Sequence, residues 1–169
     1  MLQGRRKDRM ITLYHGSNVE IERIDFTKCK PGKDFGKGFY LNPNFEQARD
    51  MAIRTTRTLG IGKVIVNEFQ FDDSILNSDK LRVKIFPDYC NEWADFIVKN
   101  RKNRSSEPIH NYDIVIGPIA DDSVGVQIRR YIQGYLSIDR LVEELRYIGS
   151  HAIQYFFANE NAIKHLKRL

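Results

Sequence analysis

The sequence predicts an α+β domain with a mixed or mostly antiparallel core sheet, and three observations carry that expectation. Runs of β-formers and helix-period apolar stripes both occur, they follow one another without a regular βαβ alternation, and 169 residues suit one domain. Hydrophobic residues make up 41% and charged residues 29%, which excludes a disordered or fibrous chain. No apolar run approaches the roughly 18 to 20 residues of a membrane helix, and Met1–Arg9 lacks the apolar stretch of a secretory signal, so no membrane partner and a cytoplasmic location are expected.

Met1–Arg9 carries Arg5, Arg6, Lys7 and Arg9 and shows no period, so it is expected to be a disordered basic arm before a single domain at 10–169, with Met10 as an alternative start. Its four basic residues and one acid take +3 of the formal +5 and leave +2 on the body. That near balance argues against a nucleic acid spread along a basic face, although the arm and the Lys99–Arg104 cluster keep such a partner open.

Met10–Tyr14 is rich in β-formers and stops at His15-Gly16-Ser17, a strand ending in a turn. Residues 18–38, with Pro31, Gly32, Gly36 and Gly38, form a long loop of the kind compact domains retain for function. Phe39–Leu41 is a short strand. Asn42 then caps a helix with Pro43 at its first position, Phe45, Ala48, Ala52 and Leu59 on one face, and Gly60 at its end. Lys63–Phe71 is a strand, dominated by Val, Ile and Phe. A helix is expected over about Asp88–Lys99, with Tyr89, Trp93, Phe96 and Ile97 as core, followed by Lys99–Arg104 as an exposed linker.

Asp113–Ile116 before Gly117-Pro118 reads as a buried strand, and Asp121–Tyr135 and Ser137–Ile148 as two helices, the second capped by Ser137. Asp121 and Asp122 suit an N-cap that compensates the helix dipole. Ala152–Phe157 is a strand, and Asn159 caps a last helix with Ala162, Ile163 and Leu166 as its stripe. Cys29 and Cys90 belong to no C-x-x-C pair and have no His at ligand spacing, so no metal site and no disulfide framework are expected.

Gly32–Gly38 is not a phosphate-binding P-loop, because three residues rather than four precede Gly36-Lys37, and Gly38 stands where Ser or Thr belongs. It also fails the dinucleotide G-x-G-x-x-G pattern, since Tyr40 and Leu41 stand where the pattern must continue. Taken together, however, Leu13-Tyr14-His15-Gly16-Ser17, Phe35-Gly36-Lys37-Gly38-Phe39-Tyr40-Leu41 and the strand Gln154-Tyr155-Phe156-Phe157 resemble the ADP-ribosyltransferase superfamily, in its diphtheria-toxin and poly(ADP-ribose) polymerase branch. With Tyr112-Asp113-Ile114-Val115-Ile116-Gly117-Pro118, the blocks are similar in particular to a bacterial family of small uncharacterised proteins, over Tyr14 to Leu169.

The resemblance implies a split mixed or antiparallel sheet with flanking helices, NAD as substrate, and His15, Tyr40 and Gln154 as the catalytic triad. Tyr40 would stack on the nicotinamide ring, Gly16 would pair its backbone with the carboxamide, and His15 would hydrogen-bond a ribose hydroxyl. Ser17, Phe35, Gly36 and Gly38 would complete the NAD-binding set. Gln154 departs from the Glu that this pattern carries; it can hydrogen-bond but brings no charge. Ala152 departs from the Gln/Glu-x-Glu pair of arginine- or asparagine-directed toxins, so the pattern names no acceptor.

The implied activity is mono-ADP-ribosyl transfer by a bacterial intracellular toxin, with an unknown macromolecular acceptor and an antitoxin as possible partners. A catalytically weak or inactive NAD- or ADP-ribose-binding module, or an NAD glycohydrolase, is the alternative. Glu160 is a candidate for the missing charge, and Asp34 and Lys37 for shaping the pocket, Lys37 either facing the pyrophosphate or simply solvated. Glu68 and Gln70 share a strand face open to solvent.

Overall fold

The strands and helices stack in layers because each carries its apolar residues on one or two defined faces. The computed structural model describes residues 9–169, and at 122 and 123 the backbone alone. The expected arm therefore lies outside the described residues except for Arg9, whose carbonyl accepts from Asp73 N–H at 3.1 Å. In chain order the elements are β1 (Met10–Ser17), β2 (Phe39–Leu41), α1 (Phe45–Leu59), β3 (Ile65–Asp72), β4 (Val83–Ile85), α2 (Asn91–Lys102), β5 (Ile114–Pro118), α3 (Asp122–Ile132), α4 (Ile138–Ile148), β6 (Ile153–Phe157), α5 (Glu160–Ile163) and β7 (Leu166–Arg168).

Among the described residues two sheets form, ordered β1-β3-β7 and β2-β6-β5-β4. All pairings are antiparallel except β4 with β5, so the α+β class with mixed and antiparallel sheets holds. Leu13, Phe69 and Phe71 from the first sheet and Phe39, Leu41, Ile114, Ile116 and Phe157 from the second pack together between the sheets. The other face of the second sheet, through Val115 and Phe156, meets Trp93, Ile97, Ile128, Leu141 and Leu145 of α2, α3 and α4. β5 is buried along its whole length, which is why it reads as an unbroken apolar run. No helix among the described residues is long and apolar enough to cross a membrane.

Helix α1 covers the outer face of β1, where its buried residues are only Ala48 and Ala52. The expected face also included Phe45 and Leu59, but these are 41% and 56% exposed, because the helix lies too close to the strand for large side chains. A Cβ on Gly16 would collide with the Ala48 carbonyl and reach within 2.7 Å of Ala52 N, so glycine opposite alanine sets the packing distance. The N-cap is Asn44, which accepts from Gln47 N–H, rather than Asn42; Asn42 Oδ1 instead accepts from Asn44 N–H. Gly60 closes the helix at φ 69°, as its position predicts.

Further boundaries shift. α2 starts at Asn91 rather than Asp88, because Asp88 turns back to accept from Tyr89 N–H and Cys90 Sγ caps the helix at Trp93 N–H. It also runs on through Lys102, so the basic cluster is no linker: Lys99, Arg101 and Lys102 sit in the last turn, where the helix dipole favours cations. α3 ends at Ile132 rather than Tyr135. β4 and β7 have no signal of their own in the sequence; three residues each, they exist through pairing with β5 and β3. The last helix is one turn, because Leu166 leaves it to join β7 and pack between the sheets. Ser137 and Asn159 cap as expected, accepting from Arg140 and Ala162 N–H, and Asp121 Oδ1 accepts from Val124 N–H.

Candidate functional site

The two sheets touch edge to edge at one point. Tyr14 N–H and C=O exchange hydrogen bonds of 2.8 Å with Asn42 O and N, forming an isolated antiparallel bridge between β1 and the residue after β2. Continued pairing would set Gly16 opposite Tyr40, but beyond the bridge the strands part. Because main-chain groups alternate sides along a strand, the N–H and C=O of Gly16, like those of Tyr14, face away from β3 into that parting.

His15 fills part of the gap. Its Nδ1 lies 2.6 Å from the Tyr40 carbonyl and its ring stacks on Phe39, with centroids 4.3 Å apart. A carbonyl only accepts, so Nδ1 carries the proton and Nε2 the lone pair. Burial outweighs the hydrogen bond to Tyr40 and lowers the imidazole pKa below its ordinary 6.5, so the ring is neutral at pH 7. Ser17 is buried, and its Oγ accepts from Val19 N–H at 3.3 Å, shaping the turn.

Tyr40 is held by its own loop. Its hydroxyl donates to Gly36 O at 2.7 Å and accepts from Phe35 N–H at 2.9 Å. Burial drives the phenol pKa well above 10.0, so it stays protonated. Phe35 is fully buried in the helix-side core, stacked at 6.4 Å on both Tyr40 and Phe86, so its side chain anchors the loop. Gly36 adopts φ 102°, a conformation that favours glycine. Gly38 lies against β6, where a Cβ would collide with the Phe156 ring. His110, which carries no motif in the sequence, adds a further anchor: Nδ1 accepts from Tyr112 N–H, so Nε2–H donates to Phe35 O at 2.7 Å.

Gln154 lies two residues before Phe156, the register partner of Tyr40, so Tyr40, Phe156 and Gln154 share one face of the second sheet. His15 contacts Tyr40 through the carbonyl; Gln154 is hydrogen-bonded to neither of them. Its Nε2 donates instead to Asp34 Oδ2 at 3.2 Å. Asp34, 15% exposed at its side chain, also binds Arg101 Nε through Oδ1 at 2.8 Å and accepts from Ala120 N–H at 3.4 Å. Glu160 sits beyond the far end of β6, exposed in the first turn of α5, so the carboxylate beside Gln154 is Asp34. Asp113 is buried under Arg82 and Asn159 and serves the fold.

A groove of about 900 Å³ lies elsewhere, between α2 and α4, lined by Cys90, Arg140, Glu143 and Tyr147 among others. It has the volume of a ligand site, but most of its lining is exposed side chains on the surface of α4, so the parting of β1 from β2 is the better candidate. Among the described residues no group of three or more His, Cys, Asp or Glu gathers to hold a metal.

No curated protein and no solved structure matches the chain. Residues 11–168, from the start of β1 to the end of β7, match a family model described as a protein of unknown function, DUF3990. With nearly its whole length covered, the chain belongs to that family.

Proposed function

We infer that the chain is an NAD-dependent mono-ADP-ribosyltransferase acting at the parting of β1 from β2. The observation that carries this reading is the pair of unspent polar groups there: the lone pair of a neutral His15 Nε2, and the main-chain edge of Gly16 facing Tyr40. One N–H and one C=O match the donor and acceptor of a carboxamide, and a lone pair at Nε2 accepts from a ribose hydroxyl. The Tyr40 ring, fixed at its hydroxyl, is pre-oriented for stacking on nicotinamide.

In the reaction the bond between the ribose C1′ and the nicotinamide nitrogen breaks, and nicotinamide leaves with the bonding pair. The acceptor's nucleophile then bonds C1′ and releases its proton to solvent. Gln154 offers an acceptor oxygen without charge, which suits a single transfer better than chain elongation. That missing charge also favours a second reading, a module that binds NAD or ADP-ribose without turnover. The toxin role and an antitoxin partner rest on the resemblance alone.

Incubation of the purified chain with NAD labelled on the adenylate, alongside calorimetry, tests the reading. We expect nicotinamide release and label on a host protein, nucleic acid or small molecule, with a loss on the order of a hundredfold in His15→Ala and Gln154→Ala. Binding without release would identify the module, and release without transfer a glycohydrolase. Neither binding nor release would sink both readings.

A further inference from the structure

We propose that Asp34 is a positioning residue that locks the Gln154 side-chain amide, so that Oε1 is presented to a substrate hydroxyl. This rests on the transferase reading. Asp34 comes from the glycine-rich loop, Arg101 from the last turn of α2, Ala120 from the turn after β5, and Gln154 from β6, so one carboxylate ties four segments together. Its Oδ1 is engaged by the guanidinium, and its Oδ2 by Ala120 N–H and by the amide.

An ionised carboxylate can only accept, so the end of the Gln154 amide facing Asp34 must be the NH₂. The opposite end is then Oε1, and no donor among the described residues occupies it. A free glutamine is ambiguous, since a half-turn exchanges donor for acceptor, whereas both ends of a glutamate accept. Asp34 removes the ambiguity: it gives glutamine the one-sided acceptor geometry that a glutamate would have, while its own charge is paired with Arg101.

The test exchanges acid and amide. Asp34→Asn alone lets the Gln154 amide face either way, and we expect nicotinamide release at saturating NAD to fall on the order of tenfold. Gln154→Glu alone puts two carboxylates in contact, and it should fall as well. Asp34→Asn combined with Gln154→Glu recreates a donor–acceptor pair in the opposite sense, and release should return to within about threefold of the parent. A loop that had merely collapsed in Asp34→Asn would not be rescued from position 154. If Asp34→Asn does not fold, the combined variant compared with Gln154→Glu reads the same coupling. Full activity in Asp34→Asn, or no rescue in a folded combined variant, would overturn the proposal. If the parent releases no nicotinamide, the transferase reading falls, and the lock is read from the Gln154 side-chain amide resonances in a nitrogen-15-labelled sample. They must shift and exchange faster with solvent in Asp34→Asn, and unchanged resonances would overturn the lock by itself.

Discussion

Replacing Tyr40 with Phe removes one oxygen and keeps the ring, which separates two things this residue does. The ring contacts, with centroids 5.0 Å from Phe156 and 6.4 Å from Phe35, survive, so burial of apolar surface is unchanged. What goes are the bond donated to Gly36 O and the bond accepted from Phe35 N–H. At a net ~0.5 to 1.5 kcal/mol each, the pair contributes about 1 to 3 kcal/mol. Gly36 is half-buried, so water partly replaces its bond, and a loss of about 2 kcal/mol is the working value. For a domain of this size that corresponds to a fall in Tm of about 4 to 8 °C. Urea and thermal denaturation measure it, with Tyr135→Phe as control, because Tyr135 is 73% exposed. A Tm within about a degree of that control would refute the claim that the phenol staples the loop.

Two further outcomes follow from particular contacts. Gly16→Ala should destabilise the fold by about 3 kcal/mol or more, since its Cβ meets the helix backbone at Ala48 and Ala52. Gly60→Ala, at φ 69° in open space, should cost only about 1 kcal/mol, and equal urea midpoints would contradict this account. Burial lowers the pKa of His15 from 6.5, so between the two values the unfolded chain holds a proton that the folded chain does not. Stability is therefore complete above about pH 6.5 and falls as pH drops through that window, by up to about 1.4 kcal/mol per pH unit for His15. His110 shifts the same way through burial and adds a smaller, solvent-screened share. Denaturation curves between pH 7.5 and about 5 should show the slope, and His15→Asn should flatten it.

What could be read from the sequence was what has a local period. β3 alternates buried with more accessible residues from Asn67 onward, β5 is apolar throughout, and Gly60, Ser137 and Asn159 stop or start helices by their own chemistry, so these elements are legible. β4 and β7 were not, because a strand of three residues with Lys at its centre is made by its neighbour. Asn before Pro has the pattern of a cap, yet the bridge to Tyr14 claims the backbone of Asn42 and Asn44 caps the helix. The basic stretch from Lys99 has the composition of a linker because charge and solvent exposure go together, whereas helix ends also collect cations.

The site divides along the same line. His15, Gly16 and the loop glycines lie in short motifs, but the contact that gives Gln154 a direction spans 120 positions, and no spacing rule connects those two residues. Glu160, six residues away, was the nearer acid in sequence and is the farther one along the fold, since β6 carries the chain past the opening before α5 begins. This bears on how a glutamine can stand where the resembling superfamily has a glutamate. A glutamate supplies orientation and charge from one side chain. On the proposed reading an amide would supply the acceptor here and Asp34 the charge, which is paired with Arg101 at 2.8 Å. On that reading, geometry at the ribose would be preserved while the stabilisation of developing positive charge would be reduced. On the proposed reading, substrate binding should suffer less than turnover, so the chain's KM for NAD would be ordinary and its kcat low.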